Sequence, residues 1–232
     1  MNAKPIIEVH DLCVAYNNGS PDETVVLRHL SLTVNEGETV MVTGANGSGK
    51  TTLLNAIAGT VPIRSGTIRV KGIDVTSWPR YRRARLLGLI HQDPMLSTCP
   101  NMSLYENLQL TGGNRWWLPF PSRLALDHQK PELLTSSGLP FQDKAATLLK
   151  SLSGGQRQGA AIVLALTSNR SVLLMDEFTS SLDEESRKLY LSTITKESAR
   201  RKLTILGVTH APETAQILQA RILRMVDGRL GN

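Results

Sequence analysis

The feature of this chain that most constrains its fold is a glycine-rich segment, Gly44–Thr51, which reads glycine, four residues, glycine, lysine and threonine. It follows a predicted strand, Glu38–Thr43, and opens a predicted helix, Lys50–Ala58. Glycine permits backbone angles at which successive N–H groups point inward at phosphate oxygens, and the helix start adds the positive end of its dipole. The pattern predicts a phosphate-binding loop, with Lys50 on the β- and γ-phosphates and the Thr51 hydroxyl on Mg²⁺.

Strands and helices alternate along most of the remaining chain, which predicts an α/β fold with a mainly parallel sheet covered on both faces. Between Pro94 and Lys150 the composition changes: Pro, Gly, Asn and Ser become frequent, and the apolar residues cluster at helical spacing. Within this stretch, Arg115–Pro119 shows neither a strand nor a helix periodicity. We expect a single domain over residues 1–232, with a core at 1–92 and 151–232 and an inserted helical lobe at about 93–150. The other predicted strands are Ile6–Tyr16, Leu30–Val34, Gly66–Val70, Leu86–Ile90, Ser171–Asp176, Leu203–Thr209 and Ile222–Val226, and the other predicted helices are Ser153–Ser168, Asp183–Arg200 and Pro212–Gln219.

The composition, 41% hydrophobic and 20% charged among 232 residues, is that of an ordinary soluble domain. No apolar run approaches the ~20 residues of a membrane-spanning helix, and the N-terminus lacks a signal-peptide segment. We therefore expect a cytosolic chain that meets a membrane only through a partner. The net charge of +6 is scattered apart from one dense cluster, and no module that reads nucleic acid is present, so we expect no nucleic-acid partner. That cluster consists of Arg80, Arg82, Arg83 and Arg85. The chain has two cysteines, Cys13 and Cys99, and in a reducing cytosol we expect both to stay thiols.

Two acids end the apolar run Val172–Glu177. Ligands gather at the carboxyl ends of parallel strands, where Asp176 can hold Mg²⁺ and Glu177 can polarise a water. Such a strand alone is common and would be a solvated strand end. Its combination with the phosphate-binding loop favours a catalytic pair.

The segment Leu152–Gln156 places a serine and two glycines at the start of a predicted helix, which makes a second anion-binding helix terminus. One nucleotide has one triphosphate, and the loop at Gly44 already surrounds it. A second cradle is redundant unless it serves a nucleotide bound by another copy. The sequence therefore predicts a dimer that closes head to tail around two ATP molecules.

Together these motifs resemble the ATP-binding cassette of ABC transporters over essentially the whole chain, and Leu152–Gln156 resembles that family's signature motif. The resemblance implies a P-loop NTPase core, an N-terminal antiparallel β subdomain and an inserted helical lobe. By the same resemblance, Tyr16 stacks on adenine, Ser181–Asp183 crosses the dimer axis, and ATP and Mg²⁺ are the cofactors. The implied catalytic residues are Glu177, His210 and Gln92, and the implied metal ligands are Thr51, Gln92 and Asp176. The implied nucleotide-binding residues are Tyr16, Gly44, Ala45, Asn46, Gly47, Ser48, Gly49, Lys50, Thr51, Thr52, Ser153, Gly154, Gly155, Gln156 and Asp183.

Three positions depart from the commonest family pattern. Phe178 stands where proline often follows the catalytic glutamate, Ser181 replaces a frequent alanine, and Gly159 takes a place often held by arginine. None of the three removes a group that touches phosphate, metal or water, so an active ATPase remains the expectation.

The resemblance extends to the biological role. A single cassette with a short insertion favours the ATP-hydrolysing subunit of a transporter, at the cytoplasmic face of the inner membrane, joined to separate membrane permeases. Within that family, features such as the arginine-rich stretch and His91–Met95 are similar to bacterial importers assigned to tryptophan or other aromatic amino acids, which also implies an extracytoplasmic solute-binding protein. The alternatives are an exporter or lipid-extraction ATPase, a soluble ABC ATPase outside transport, and a cassette that regulates without hydrolysis.

The segment that follows Gln92, about Asp93–Tyr105, is predicted to dock a permease helix. It lies just beyond the junction of core and lobe, so movement of the lobe can pass to a partner there. Its prolines argue against a plain core helix, although a surface loop that packs on its own lobe is the alternative. The predicted apolar contacts are Met95, Leu96, Met102, Leu104 and Tyr105.

Overall fold

A computed structural model describes residues 4–17, 19–111, 141 and 144–231. Within these ranges the chain forms two sheets and a set of α-helices, with 3-10 turns at Pro94–Leu96 and Leu149–Ser151. The strands are β1 (Pro5–Tyr16), β2 (Thr24–Asn35), β3 (Thr39–Gly44), β4 (Ser65–Val70), β5 (Ile73–Asp74), β6 (Leu87–Ile90), β7 (Val172–Asp176), β8 (Thr204–Val208), β9 (Arg221–Val226) and β10 (Arg229–Gly231). The helices are α1 (Lys50–Ala58), α2 (Arg80–Arg83), α3 (Leu104–Thr111), α4 (Gly154–Thr167), α5 (Glu184–Arg201) and α6 (Pro212–Ile217).

The first sheet has the strand order β2-β1-β4-β5, and each neighbouring pair is antiparallel. Its strands come from the first third of the chain, before and after the glycine-rich loop. This arrangement confirms the predicted N-terminal antiparallel subdomain.

The second sheet has the order β10-β9-β3-β8-β7-β6. Every pair from β9 to β6 is parallel, and only the edge strand β10 runs antiparallel. The prediction of a mainly parallel sheet is confirmed. Because parallel strands end at the same edge, the residues that follow β3, β6, β7 and β8 meet there.

Alternation along the parallel strands divides the apolar residues between two cores. In β7, for example, Val172 and Leu174 enter a first core that α1 shares with the antiparallel sheet. Leu173 and Met175 face the opposite way and enter a second core with α4 and α5. The sheet is buried on both faces, which explains why its strands read as continuous apolar runs.

The described part of the predicted lobe packs on the second core. Leu104 and Leu108 of α3, together with Phe141 and Leu149, are buried in the same cluster as α4. The segment Arg115–Pro119 lies outside the described residues. Across the described residues, no helix combines the length and the apolar character needed to cross a membrane.

The element bounds follow the sequence closely, with one informative exception. Helix α1 has the predicted bounds, and α4 and α5 differ from their predictions by a residue at the ends. Strand β2, however, begins at Thr24 rather than Leu30. Arg28 and His29 are both exposed, and they interrupt the alternation of apolar and polar residues on which the prediction relied.

Candidate nucleotide-binding site

The glycine-rich loop joins β3 to α1 at the carboxyl edge of the parallel sheet. A Cβ at Gly44 would collide with the carbonyl oxygen of Met225, and Gly49 caps α1 at φ 106°, a left-handed conformation that disfavours any side chain. The Lys50 side chain is buried, and its Nζ donates to the carbonyl oxygens of Gly44 (3.1 Å) and Ala45 (2.8 Å). The lysine is therefore held inside its own loop, with its charge next to the space that the loop encloses.

Two further observations fit a bound phosphate chain. The Ser48 hydroxyl is buried and has no hydrogen-bond partner among the described residues. Gly49 caps α1 without any side-chain hydrogen bond, so its first turn keeps free N–H groups. A phosphate oxygen accepts such donors.

Thr51 and Asp176 meet across the site from different elements. The Thr51 hydroxyl, in the first turn of α1, donates to Oδ1 of Asp176 at the end of β7 over 3.1 Å. Burial raises the pKa of the Asp176 carboxyl, the bond from Thr51 opposes that shift, and the charge of Glu177 adds to it. A hydroxyl and a buried carboxylate are oxygen ligands that suit Mg²⁺, and a cation there would offset the cost of burying the charge.

Glu177 is held between two side chains from neighbouring strands. Its Oε2 accepts a hydrogen bond from Nε2 of Gln92 (3.2 Å), and its Oε1 lies 2.9 Å from Nε2 of His210. Gln92 follows β6, Glu177 follows β7 and His210 follows β8, so the sheet order itself brings the three together. Glu177 has φ 43°, which is unusual for a residue with a side chain and is commonly found at functional sites.

These side chains line one cavity of about 630 Å³. Its described lining comes from the loop and helix start at 46–52, from Gln92, Glu177 and His210, and from Val26. The structure therefore brings together the predicted phosphate loop and the predicted catalytic residues. Tyr16 is 39% exposed and lies next to this lining, with its hydroxyl 3.4 Å from Oγ1 of Thr52.

The segment Leu152–Gln156 is not part of that cavity as far as the described lining goes. Ser153 caps α4, its hydroxyl accepting from the Gln156 N–H (3.3 Å) while the Gln156 side chain accepts from the Ser153 N–H (3.2 Å). Asp183 similarly caps α5 by accepting from the Ser186 N–H over 2.8 Å, a bond that lowers the pKa of its carboxyl. A Cβ on Gly155 would come 3.3 Å from the Ser181 carbonyl oxygen, so these two segments lie side by side.

The departures from the family pattern have local explanations. Phe178 is fully buried, and its ring fills space in the second core. A Cβ at Gly159 would overlap the hydroxyl of Tyr190, so the glycine makes room for that ring. Burial raises the pKa of Tyr190 to about 12, which keeps the phenol neutral.

The family model described as "ABC transporter" matches residues 27–180 of this chain. The chain belongs to the ABC transporter family. It is therefore an ATP hydrolase of the type that drives transport.

Similar proteins cover almost the full length. A tyrosine transport ATP-binding protein from Clostridioides difficile is 29% identical over 97% of this chain and 90% of its own length. A phosphonates import ATP-binding protein from Hyphomonas neptunium is 31% identical over 98% of this chain and 86% of its own. A solved dimeric ATP-binding cassette in a post-hydrolysis state, bound to ADP and Pi, superposes with a TM-score of 0.81 at 25% identity, covering 98% of this chain and 97% of that one.

The exposure of the apolar residues in the predicted permease-docking segment differs from residue to residue. Leu96 is 64% exposed and Met102 37% exposed, as a docking surface requires, while Met95 and Tyr105 are half-buried. Leu104 is fully buried, because it begins α3 on the side that faces the second core. It is not available to a partner.

The sequence alone missed two features of this ABC cassette. Val26 lines the nucleotide cavity, but the predicted start of β2 excluded it. A separate groove of about 280 Å³ runs from Leu96 past Leu110 and α4 to the edge of β6. No motif marks this groove, because it is formed by elements that are far apart in the chain.

Proposed function

We propose that this ABC cassette powers the import of a small solute, such as an amino acid, through a separate membrane permease. The observation that supports it most is Glu177, held by Gln92 and His210 at the wall of the cavity that contains Lys50 and Thr51. This arrangement places a general base, its positioning partners and a phosphate cradle around one space.

In this proposal the ATP phosphates occupy the loop, and the bonds of Lys50 to its own loop carbonyls are exchanged for charge-assisted bonds to phosphate. Thr51, Asp176 and Gln92 hold Mg²⁺, which neutralises negative charge on the phosphates when bound. Tyr16 offers a flat aromatic surface to adenine.

Glu177 orients the attacking water and accepts its proton. His210 holds Oε1 of Glu177, which keeps the carboxylate aimed into the cavity, and Gln92 holds Oε2. The two partners thereby position the base from both sides. The amide of Gln92 also connects this base to the segment that leads into the predicted lobe at 93–150.

We further propose that two copies close head to tail, so that Ser153, Gly154, Gly155 and Gln156 of each copy face the ATP of the other. The geometry supports this because those residues cap their own helix and do not line the cavity of their own chain. Ser181 and Leu182 lie beside Gly155, and they belong to the loop Ser181–Asp183 that is predicted to cross the dimer axis.

The permease is proposed to dock a helix at the groove that Leu96 lines, with the exposed Met102 as a further contact, so that the cassette lies at the cytoplasmic face of the inner membrane. An extracytoplasmic solute-binding protein would then deliver the cargo. Relatives named for tyrosine and for phosphonates show how varied the cargo of similar cassettes is. The aromatic amino acid assignment is tested by uptake of labelled tyrosine and tryptophan in cells with and without the transporter genes.

The docking proposal is tested by replacing Leu96 and Met102 with aspartate and measuring copurification with the permease. We expect normal basal ATPase in the isolated chain and loss of permease association and transport. The matched control is Ile73→Asp with Ile222→Asp, which changes two exposed apolar residues elsewhere on the surface. A complex that assembles and transports normally with the Leu96 and Met102 changes would place the permease elsewhere.

A further inference from the structure

A second cleft lies on the antiparallel sheet and has a different chemistry from the nucleotide cavity. It comprises two adjoining cavities, of about 450 Å³ and 230 Å³, which share Arg28, His29 and Arg229 as walls. Arg64 and Cys13 complete the larger one. None of the described residues that line either cavity is an acid.

The cleft is built by a β-bulge. Leu12 pairs with Leu30 and Val14 pairs with Leu27, so Arg28 and His29 of β2 together oppose only Cys13 of β1. The His29 N–H donates to the Cys13 sulfur (3.3 Å) in place of a ladder carbonyl. His29 has φ 52°, an unfavourable conformation for a residue with a side chain. Bulges of this kind redirect side chains and concentrate near functional sites.

A second bulge faces the first across β1. Between the pairs His10–Thr67 and Cys13–Ser65 the register shifts again, and Asp11 has φ 48°. The Asp11 carboxylate lies 2.8 Å from Nδ1 of His29, which ties the two irregular positions together. Two strained residues that hold each other are a costly local structure, and strain of this type is retained where it positions a site.

The charges around the cleft are not balanced. Asp11 pairs with His29, and Glu23 pairs with Arg64. Arg28 and Arg229 make no side-chain hydrogen bond or ion pair with any residue that the structure describes, so two guanidinium groups remain uncompensated at the shared wall. A guanidinium presents a planar fork of donors that matches phosphate oxygens.

Backbone bonds fix the position of both arginines. The Arg28 N–H donates to the Gly228 carbonyl oxygen (3.0 Å), and the Gly228 N–H donates to the Ser48 carbonyl oxygen (3.0 Å). A Cβ on Gly228 would collide with the carbonyl oxygen of Val26, so the turn that precedes Arg229 is packed tightly against β2. The same turn therefore touches the cleft on one side and the phosphate loop on the other.

We propose that this cleft binds a compact phosphate-bearing anion, at a site separate from the nucleotide cavity. Arg28 and Arg229 clamp the phosphate, and the bulge at Arg28 and His29 places the Arg28 side chain at the wall that the two cavities share. Because the turn at Gly228 contacts both sites, an occupied cleft stabilises the position of the phosphate loop.

The test is calorimetric titration of the full chain with inorganic pyrophosphate, after the nucleotide cavity has been saturated with a non-hydrolysable ATP analogue and Mg²⁺. We expect one pyrophosphate per chain, and at least a tenfold loss of affinity in the Arg28→Gln, Arg229→Gln double variant. The control is Arg85→Gln with Arg224→Gln, which removes the same charge at two exposed arginines outside the cleft. Its affinity for pyrophosphate should match that of the parent chain.

The source of the phosphate is resolved by a parallel flotation assay with phosphatidylcholine vesicles, with and without phosphatidylglycerol. Pyrophosphate binding without vesicle binding supports a soluble ligand, and binding to phosphatidylglycerol vesicles that requires Arg28 and Arg229 supports a lipid headgroup. Absence of binding to either probe, or an equal loss in both double variants, would overturn the proposal. Because the nucleotide cavity is occupied throughout, a failure here leaves the proposed ATPase mechanism untouched.

Discussion

Helices α1 and α4 both begin with a serine- or glycine-rich segment, but a side chain caps the first turn of α4 and none caps that of α1. Helix α1 starts at Gly49 with no side-chain cap, beside a cavity that contains the buried Lys50. Helix α4 starts at Ser153 with a complete capping box to Gln156 and lies away from that cavity. An uncapped start leaves N–H groups for a ligand, whereas a capped start is stable without one.

The comparison suggests that each chain contributes to two different sites in the proposed dimer: the start of α1 to its own nucleotide site, and the start of α4 to that of the other copy. The first helix start is ready to bind phosphate alone. The second is satisfied in the single chain, and in the proposed dimer it gains a ligand when another copy brings one. Substitutions at each start, at the residues next to it and inside α4 test this difference.

The largest effect is expected from Glu177→Gln, which keeps the shape of the side chain and removes the basic carboxylate. ATP hydrolysis should fall by roughly 10²-fold or more, the scale of losing a positioned general base. ATP binding should persist, because the phosphate loop is unchanged. Steady-state phosphate release and equilibrium nucleotide binding measure the two quantities separately.

His210→Ala tests the same base from its other side. Turnover should slow without a comparable loss of ATP affinity, since His210 acts on Oε1 of Glu177 rather than on phosphate. The double variant with Glu177→Gln should be little slower than Glu177→Gln alone. Independent, multiplicative effects in that cycle would show that His210 does not work through the glutamate.

Lys50→Ala should weaken ATP binding through the loss of a charge-assisted bond worth about 1.5–3 kcal/mol, roughly a ten- to hundredfold change in affinity. Equilibrium binding of a fluorescent ATP analogue is the measurement. Lys188→Ala removes an equal charge from an exposed pair with Glu184 and serves as the control. Unchanged affinity in Lys50→Ala would mean that the uncapped start is not the phosphate site.

Gly159→Ala should destabilise the chain by about 1–3 kcal/mol, the usual cost of overpacking a filled core. The added methyl group has no room beside the Tyr190 hydroxyl. Gly154→Ala, in the same helix, is the control, because nothing lies within 4 Å of its added Cβ. Thermal unfolding should separate the two variants, and equal melting temperatures would contradict the packing explanation for Gly159.

The smallest effect is expected from Ser153→Ala, which removes the cap of α4 at a cost of about 1 kcal/mol. The melting temperature should fall slightly, while ATP affinity of the dilute single chain stays the same. Weaker ATP binding in the dilute chain would mean that the second start belongs to the chain's own site.

The sequence was a good guide wherever local chemistry decides the structure. The bounds of α1 follow from the loop and from the spacing of Leu53, Leu54 and Ile57, and all three face the first core. The meeting of Gln92, Glu177 and His210 was also foreseeable, because the carboxyl ends of adjacent parallel strands must meet.

Features set by contacts between distant segments were not foreseeable. The start of β2 was misplaced because the bulge at Arg28 and His29 depends on β1. The prolines before Leu104 interrupt a helical pattern, which is why the sequence predicts a docking surface there. In the structure Leu104 begins helix α3, and its side chain packs in the second core. In both cases tertiary contacts override the local pattern.

The central claim, that each ATP is enclosed by two copies, is tested most directly by sizing the Glu177→Gln variant with ATP and Mg²⁺. We predict a dimer that holds two ATP molecules, and a monomer without nucleotide. Adding Ser153→Asp keeps a good helix cap but places a carboxylate against the phosphates of the partner's ATP, so this double variant should bind ATP and remain monomeric. A Glu177→Gln chain that stays monomeric with ATP bound, or a double variant that dimerises as readily, would contradict the shared site.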